Sequence, residues 1–241
     1  MKNYKFFVMI LLVVLIVSSL TSCGECEHLW KLEPLSGNEQ TKVCTICGIS
    51  GFMSQYKIGD TGPGGGRIFY IADGKNGRPL SFTVTSTTSV FTTYTAYYLE
   101  AAPANARGGT GSQTTIRWST RTVSPYPDVS GTLQTIGSGR NNTALIIAAE
   151  KAAHPSDTYI YAALACDNYT NNSLNDWFLP SRDELNQLYL QRSLVGINSD
   201  WFWSSSQSDV SNTWRQFIGN NGYQGTTSKA NDYYIRAVRA F

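Results

Sequence analysis

The sequence carries little charge and almost no charge imbalance. Lysine, arginine, aspartate and glutamate make up 15% of its 241 residues, and the formal net charge is +2 at pH 7. A nearly neutral chain exerts no long-range attraction on nucleic acid or on anionic lipid. We therefore expect no nucleic-acid partner.

Recognisable catalytic patterns are also missing. The glycine-rich residues 59–66 contain no G-x-G-x-x-G in frame and no Gly-Lys-Ser/Thr, so they predict a turn leading into a strand rather than a phosphate loop. After residue 55 there is one histidine, His154, and one cysteine, Cys166. A nucleophile needs a nearby base, and no such pairing is evident. The sequence therefore predicts that this protein is not an enzyme, with His154 capping a helix or lying on the surface.

The first 22 residues have the features of a secretory signal. Lys2 and Lys5 precede an unbroken apolar run of 12 residues, which is too short to span a bilayer. Leu20-Thr21-Ser22-Cys23 then resembles the lipobox of bacterial lipoproteins, in which the cysteine thiol takes a lipid before cleavage. We expect lipidation at Cys23; an ordinary signal peptide followed by a chance cysteine is the alternative. Cleavage before Cys23 would remove Lys2 and Lys5 and leave 17 basic residues against 17 acidic ones, so the mature chain would have no formal net charge.

A cysteine cluster follows in residues 23–55. Cys26 and His28 precede Cys44 and Cys47, and Cys-x-x-Cys followed by glycine resembles one knuckle of a zinc ribbon. These four side chains would complete a structural zinc site, with the intervening residues forming a hairpin. Because an exported protein can also form disulfides, a disulfide among the three cysteines is the alternative, although one thiol would then remain unpaired.

Residues 56–241 alternate short strands with two helices. Asn141 and Asn142 are good N-cap residues for a helix that ends before His154, and Ser181 with Glu184 forms a capping box for a second helix. The remaining apolar segments predict strands, and residues 219–232 predict a long polar hairpin loop. The predicted strands cover residues 67–71, 97–102, 201–205, 213–218 and 233–241.

Five segments resemble one known family when taken in order. They are Gly-Asp-Thr-Gly-Pro-Gly-Gly-Gly at 59–66, Ile-Gly-Ser-Gly-Arg-Asn-Asn-Thr at 136–143, Asp-Trp-Phe-Leu-Pro-Ser at 176–181, and Trp-Ser-Ser-Ser at 203–206 followed by Arg-Ala-Val-Arg at 236–239. Residues 56–241 resemble the Lcl C-terminal domain family, a family catalogued as a domain of unknown function. The resemblance implies an α+β, C-type lectin-like fold, in which two helices flank small twisted antiparallel sheets.

This resemblance implies a binding module rather than a catalyst. Its namesake is a bacterial surface adhesin that binds host glycosaminoglycans, and lectin-like scaffolds display long recognition loops. The polar loop before the last strand and the strand preceding it carry the candidate ligand-binding residues Trp214, Arg215, Gln216, Tyr223, Gln224 and Lys229. Such side chains suit hydrogen bonding and aromatic stacking. The alternative is a solvated hairpin without a ligand.

The expected function is a membrane-anchored lipoprotein at the outer membrane or cell surface that binds a glycan or protein. An envelope structural protein without an external ligand is the alternative, and an enzyme of the formylglycine-generating type is a weaker one. The tripeptides that bind calcium in C-type lectins are absent from residues 56–241. Glycosaminoglycan binding would need a local basic patch, for which the candidates are Arg182, Arg192, Arg215, Arg236 and Arg239.

Overall fold

The computed structural model describes residues 30–34, 40–44, 50–52, 56–105, 115–197 and 199–241, and only the backbone of the first three ranges. The chain divides into two compact units, Met1–Met53 and Ser54–Phe241. No helix within the described part of the chain is long and apolar enough to cross a membrane.

The first unit contains a three-stranded antiparallel sheet. Strand β1 (Trp30–Pro34) pairs with β2 (Gln40–Cys44), which pairs in turn with β3 (Ser50–Phe52). A hairpin between Cys26 with His28 and the Cys44–Cys47 pair was expected, and β1 and β2 form one. The predicted lipid attachment at Cys23 and the predicted zinc ligands Cys26, His28 and Cys47 lie outside the described residues. Cys44 ends β2, but its side chain is not among those described.

The second unit combines helices with small antiparallel sheets, which confirms the predicted α+β class. The strands are β4 (Arg67–Ile71), β5 (Phe82–Val84), β6 (Tyr94–Ala96), β7 (Tyr98–Ala101), β8 (Ile116–Arg117), β9 (Trp201–Gln207), β10 (Asn212–Phe217), β11 (Gln224–Ser228), β12 (Asp232–Tyr233) and β13 (Val238–Ala240). They form sheets of the orders β13–β7–β4, β11–β10–β9, β12–β8 and β5–β6. The helices are α1 (Gly139–Ala153), α2 (Ala162–Asp167), α3 (Arg182–Leu190) and α4 (Arg192–Val195).

Large aromatic side chains fill the core of this unit. Phe69, Phe178 and Phe202 belong to one buried cluster, and Trp118 and Trp203 belong to a second one. Burying such rings removes large apolar areas from water and is the main source of stability in a fold with short elements. The core therefore lies between small sheets and helices rather than behind one large sheet.

The glycine-rich turn before β4 encloses a buried carboxylate. Gly64 N–H donates to Glu100 Oε2 at 3.0 Å, and Gly66 N–H donates to Glu100 Oε1 at 2.7 Å. Arg239 on β13 completes the arrangement, since its Nη1 lies 3.3 Å from Glu100 Oε2 and its Nε lies 2.9 Å from Asp176 Oδ1. The turn's backbone donors therefore serve a carboxylate of the same chain, which joins β4, β7 and β13.

Helix α1 begins earlier than its asparagines indicated. It starts at Gly139, and the buried Asn141 and Asn142 lie inside its first turn. Asn142 holds the preceding loop instead, because its Nδ2 donates to Leu133 O at 2.6 Å and its Oδ1 accepts from Leu133 N–H at 2.9 Å. The predicted N-cap role of these two residues is therefore wrong. The C-terminal end was predicted correctly, since His154 is the C-cap.

Helix α3 has the predicted capping box. Ser181 Oγ accepts from Glu184 N–H, and the Glu184 side chain accepts from Ser181 N–H at 2.7 Å. Glu184 is nevertheless fully buried, and its Oε1 accepts from Gly137 N–H at 2.8 Å. Desolvation outweighs these bonds and raises the pKa of the Glu184 carboxyl to about 7. The folded protein thus binds a proton here at a pH at which the unfolded chain does not.

This proton makes stability depend on pH. The ordinary pKa of a glutamate is 4.5, so the free energy of unfolding should rise as pH falls from about 7 to about 4.5. The contribution of Glu184 is at most roughly 3 kcal/mol. A Glu184→Gln variant cannot titrate at this position, and its stability should vary less across the same window. Urea unfolding at several pH values measures both slopes; equal slopes would contradict the prediction.

Candidate functional site

The sheet β11–β10–β9 carries most of the predicted binding residues. Residues 219–232 do not form one long loop, because β11 lies within them and pairs with β10. The expectation of a hairpin loop over this whole range is therefore wrong. The strand predicted for residues 233–241 is likewise divided into the end of β12 and the separate strand β13.

One face of this sheet presents aromatic rings around an arginine. Arg215 lies opposite Trp203 of β9 and Gly225 of β11, and Phe217 lies opposite Trp201. Directly opposed residues in an antiparallel pair share a face. We call the accessible part of this surface the aromatic–arginine face and define it by Trp201, Arg215, Phe217, Tyr223 and Tyr233.

The rings of this face contact one another at the distances of ordinary aromatic pairs. The ring centroid of Trp201 lies 5.3 Å from that of Phe217, 6.0 Å from that of Tyr223 and 6.2 Å from that of Tyr233. Tyr223 is 57% exposed, whereas the other four residues are half-buried. The face is therefore an ordered aromatic surface with one ring accessible at its margin.

Arg215 brings an unpaired positive charge into this cluster. Its guanidinium carbon lies 3.7 Å from the ring centroid of Trp201 and 4.7 Å from that of Tyr233. Its Nη1 donates to the Tyr233 hydroxyl, and its Nε is buried without a hydrogen-bond partner. Among the described residues no carboxylate forms a salt bridge with it. Stacking on two rings fixes the guanidinium plane without neutralising its charge.

Such an arrangement can bind but offers no chemistry of bond formation. Aromatic faces stack on the apolar C–H side of a sugar ring, and a fixed guanidinium donates hydrogen bonds to oxygen acceptors. Asn220 and Asn221 lie exposed beside Tyr223 and add amide donors and acceptors. The face thus provides stacking, charge and hydrogen bonding at one place.

Three of the predicted binding residues are associated with the opposite face. Gln216 is fully buried, and its Nε2 donates to Asn186 Oδ1 at 2.9 Å and to Gly222 O at 3.0 Å. Gln224 Nε2 donates to Arg182 O at 3.1 Å. The ring of Trp214 contacts the Arg182 guanidinium at 5.0 Å. A surface contact by Gln216 is therefore contradicted by its burial, and Gln224 and Trp214 pack against the start of α3.

Lys229 lies inside the protein rather than in an exposed loop. Its side chain is fully buried, with Nζ donating to Pro127 O at 2.9 Å and to Gln207 Oε1 at 2.6 Å. Nζ also lies 4.8 Å from the ring centroid of Trp118. Burial lowers the pKa of this ammonium to about 8. Its prediction as an exposed ligand contact is wrong, because its donors are used within the fold.

Two arginines of the expected basic patch are also buried. Arg239 belongs to the Glu100 network, and Arg236 Nη1 donates to Ala102 O at 2.6 Å while its Nε donates to Asn105 Oδ1 at 2.8 Å. Burial lowers the pKa of Arg236 to about 10. Neither cation is available to an external anion, so Arg215 is the arginine that the structure associates with the candidate face.

Trp201, Phe217 and Tyr233 belong to this face but were interpreted from the sequence only as strand residues. A signal for Phe217 was present, because Arg215 and Phe217 are spaced by two within one strand and so share a face. Their position beside Trp201 and Tyr233 depends on strand register, which one sequence does not specify.

A shallow cleft lies beside α3. It encloses about 440 Å³, within the range of small-ligand sites. Its lining residues are Tyr70, Pro79, Phe82, Thr135, Ile136, Asp183, Asn186 and Gln187. Burial raises the pKa of Tyr70, and Asp183 forms a salt bridge with Arg182. This lining contains no nucleophile–base pair, so the aromatic–arginine face is the stronger candidate.

Cys166 lies in the core, away from the aromatic–arginine face and from the cleft lining. It is a free thiol, fully buried on α2, and burial raises its pKa. A protonated thiol is a poor nucleophile. Among the described residues no group of three or more metal-ligating side chains converges.

Comparisons with known proteins give little guidance. No family model and no curated protein matches this chain. Among solved structures, a fimbrial protein from Bacteroides ovatus aligns with a TM-score of 0.41 and 15% identity. The alignment covers 79% of this chain but 46% of the other, so this chain spans less than half the length of that protein. A likeness of this extent establishes neither a shared fold nor a shared function.

Proposed function

We propose that this chain is a lipid-anchored protein of the outer membrane or cell surface whose second unit is a C-type lectin-like module that binds a glycan. The anchor is inferred from the basic residues, apolar run and lipobox that end at Cys23. The lectin-like assignment is supported by the ordered motifs of residues 56–241 and by the small antiparallel sheets with interposed helices.

The aromatic–arginine face is the observation that carries the binding function. The rings of this face are half-buried, and the guanidinium stacked on them has no carboxylate partner among the described residues. An accessible aromatic patch of this kind is typical of a binding surface. The exposed amides of Asn220 and Asn221 next to Tyr223 suit the hydroxyl groups of a sugar. The exposed aliphatic side chains, which would favour an apolar protein interface, lie outside this face, as Val90 and Leu190 do.

Removing the exposed ring should weaken ligand binding. The full chain, held in lipid nanodiscs, is applied to a glycan array and to immobilised matrix proteins, and the affinity for the best glycan is then measured. Tyr223→Ala should lower this affinity about tenfold or more, because an aromatic anchor at a binding face contributes roughly 1.4 kcal/mol or more. Val90→Ala is the matched control, since it shortens an exposed apolar side chain outside the face.

The same experiment separates the alternatives. Binding should persist after addition of a chelator, because the tripeptides of calcium-dependent lectins are absent. Arg215→Lys, which keeps the charge but loses the planar stack, should also weaken binding. Binding to proteins but to no glycan would contradict the glycan assignment. Absence of binding to every probe would favour an envelope structural protein.

A further inference from the structure

Strand β11 forms an open edge of the β11–β10–β9 sheet. Among the described residues no strand pairs with its outer side. Its sequence, Gln-Gly-Thr-Thr-Ser, contains neither a charged residue nor proline. Protruding charges and prolines are the usual means by which natural edge strands avoid pairing with another chain. This edge is therefore unprotected.

The hydrogen-bond pattern identifies which backbone groups face outward. Phe217 N–H donates to Tyr223 O at 2.8 Å, and Lys229 N–H donates to Ser211 O at 3.1 Å, so residues 223 and 229 point toward β10. Backbone groups alternate in direction along a strand of an antiparallel ladder. The N–H and C=O groups of Gln224 and Thr226 and the N–H of Ser228 therefore point away from the sheet, while Ser228 O accepts from Asn231 N–H at 3.1 Å.

We propose that β11 pairs with β11 of a second copy of this chain, in antiparallel orientation, with Thr226 opposite Thr226. In this register each outward residue meets an outward residue, because Gln224 then lies opposite Ser228. The arrangement is two-fold symmetric and provides about four backbone hydrogen bonds, two between the Thr226 residues and two from Ser228 N–H to Gln224 O. No charge meets its own copy across the axis, and the facing side chains of Gln224, Thr226 and Ser228 are neutral hydrogen-bonding groups.

A second copy fits this edge better than an unrelated peptide. An arbitrary extended segment would satisfy the same backbone groups, but nothing beside β11 selects a particular side chain for it. Pairing with a second copy uses only the groups of β11 itself and requires no pocket for a side chain of the partner. It joins two three-stranded sheets into one of six strands and leaves both aromatic–arginine faces on the same side. This inference does not depend on the identity of the ligand.

A lysine on the symmetry axis tests the proposal. Sedimentation equilibrium of the full chain in density-matched detergent should reveal a monomer–dimer equilibrium. Thr226→Lys places two like charges opposite each other and should raise the dimer dissociation constant at least tenfold. Ser208→Lys is the matched control, because Ser208 is exposed in the turn between β9 and β10 and away from the edge; its dissociation constant should stay within about twofold.

A cysteine at the same position provides a second measurement. Opposed Cα atoms in a hydrogen-bonded pair lie about 5.5 Å apart, within disulfide range. Thr226→Cys in membranes should therefore form a dimer on oxidation in excess of that seen for the unsubstituted chain and for Ser208→Cys. A chain that stays monomeric at every concentration, or a dimer that Thr226→Lys leaves unchanged, would overturn the proposal. Unchanged circular dichroism confirms that Thr226→Lys is folded.

Discussion

Replacing Arg239 by methionine should lower the free energy of unfolding by about 3–5 kcal/mol. Arg239 is buried between Glu100, which is fully buried, and Asp176, and its charge is the only cation paired with either carboxylate among the described residues. Without it, Glu100 keeps two backbone donors but remains a charge inside the protein. Removing one partner of such a pair is far more costly than removing both.

Urea unfolding measures this effect, and two further variants serve as controls. Arg182→Met removes an arginine whose partner, Asp183, is 38% exposed, and it should cost no more than about 1 kcal/mol. Adding Glu100→Gln to Arg239→Met removes the uncompensated charge and should restore part of the lost stability. A single Arg239→Met variant that loses less than about 1 kcal/mol would contradict the assigned role of the network.

Adding one methyl group at Gly66 should be similarly damaging. A Cβ at this position would lie 1.9 Å from Ala101 O, a backbone atom of β7 that cannot rotate away. Separating β4 from β7 would also disturb the Gly66 hydrogen bond to Glu100. We therefore expect Gly66→Ala to cost about 3 kcal/mol or more, or to prevent folding.

A second glycine provides the comparison for this substitution. Gly77 has a φ of +77° and open space around its missing Cβ, so Gly77→Ala meets only the conformational penalty of about 1–2 kcal/mol. Thermal unfolding of both variants ranks them. A Gly66→Ala protein as stable as Gly77→Ala would contradict the close approach of Gly66 to Ala101 O.

Local signals in the sequence predicted the elements that depend on local chemistry. The capping box of Ser181 and Glu184 specified the start of α3, since both partners lie within one turn. Asn141 and Asn142 were misassigned because their side chains bond to residues outside the helix, to Thr87 and Leu133. A cap and a tertiary contact use the same asparagine groups, and spacing alone does not distinguish them.

The candidate site was predicted only in part for a related reason. The sequence of β11 shows no alternation of apolar and polar residues, so it indicated a loop. The segment is a strand because it pairs with β10, and that pairing depends on tertiary context rather than on its own residues. Lys229 was assigned to the surface on residue type, although its ammonium finds acceptors in Pro127 and Gln207 far along the chain. Arg215 and Tyr223 were identified, but the rings that hold Arg215 required the strand register.

The position of Arg239 in the sequence has a consequence for how the protein is made. Its partner Glu100 lies 139 residues earlier, and Tyr94 reaches the backbone of Ala240 over 146 residues. During synthesis β4 and β7 emerge long before β13, so Glu100 has no cation to pair with until Arg239 has been made, 139 residues later. Contacts this distant along the chain slow folding. The network that joins β4, β7 and β13 can therefore form only after Arg239 has left the ribosome.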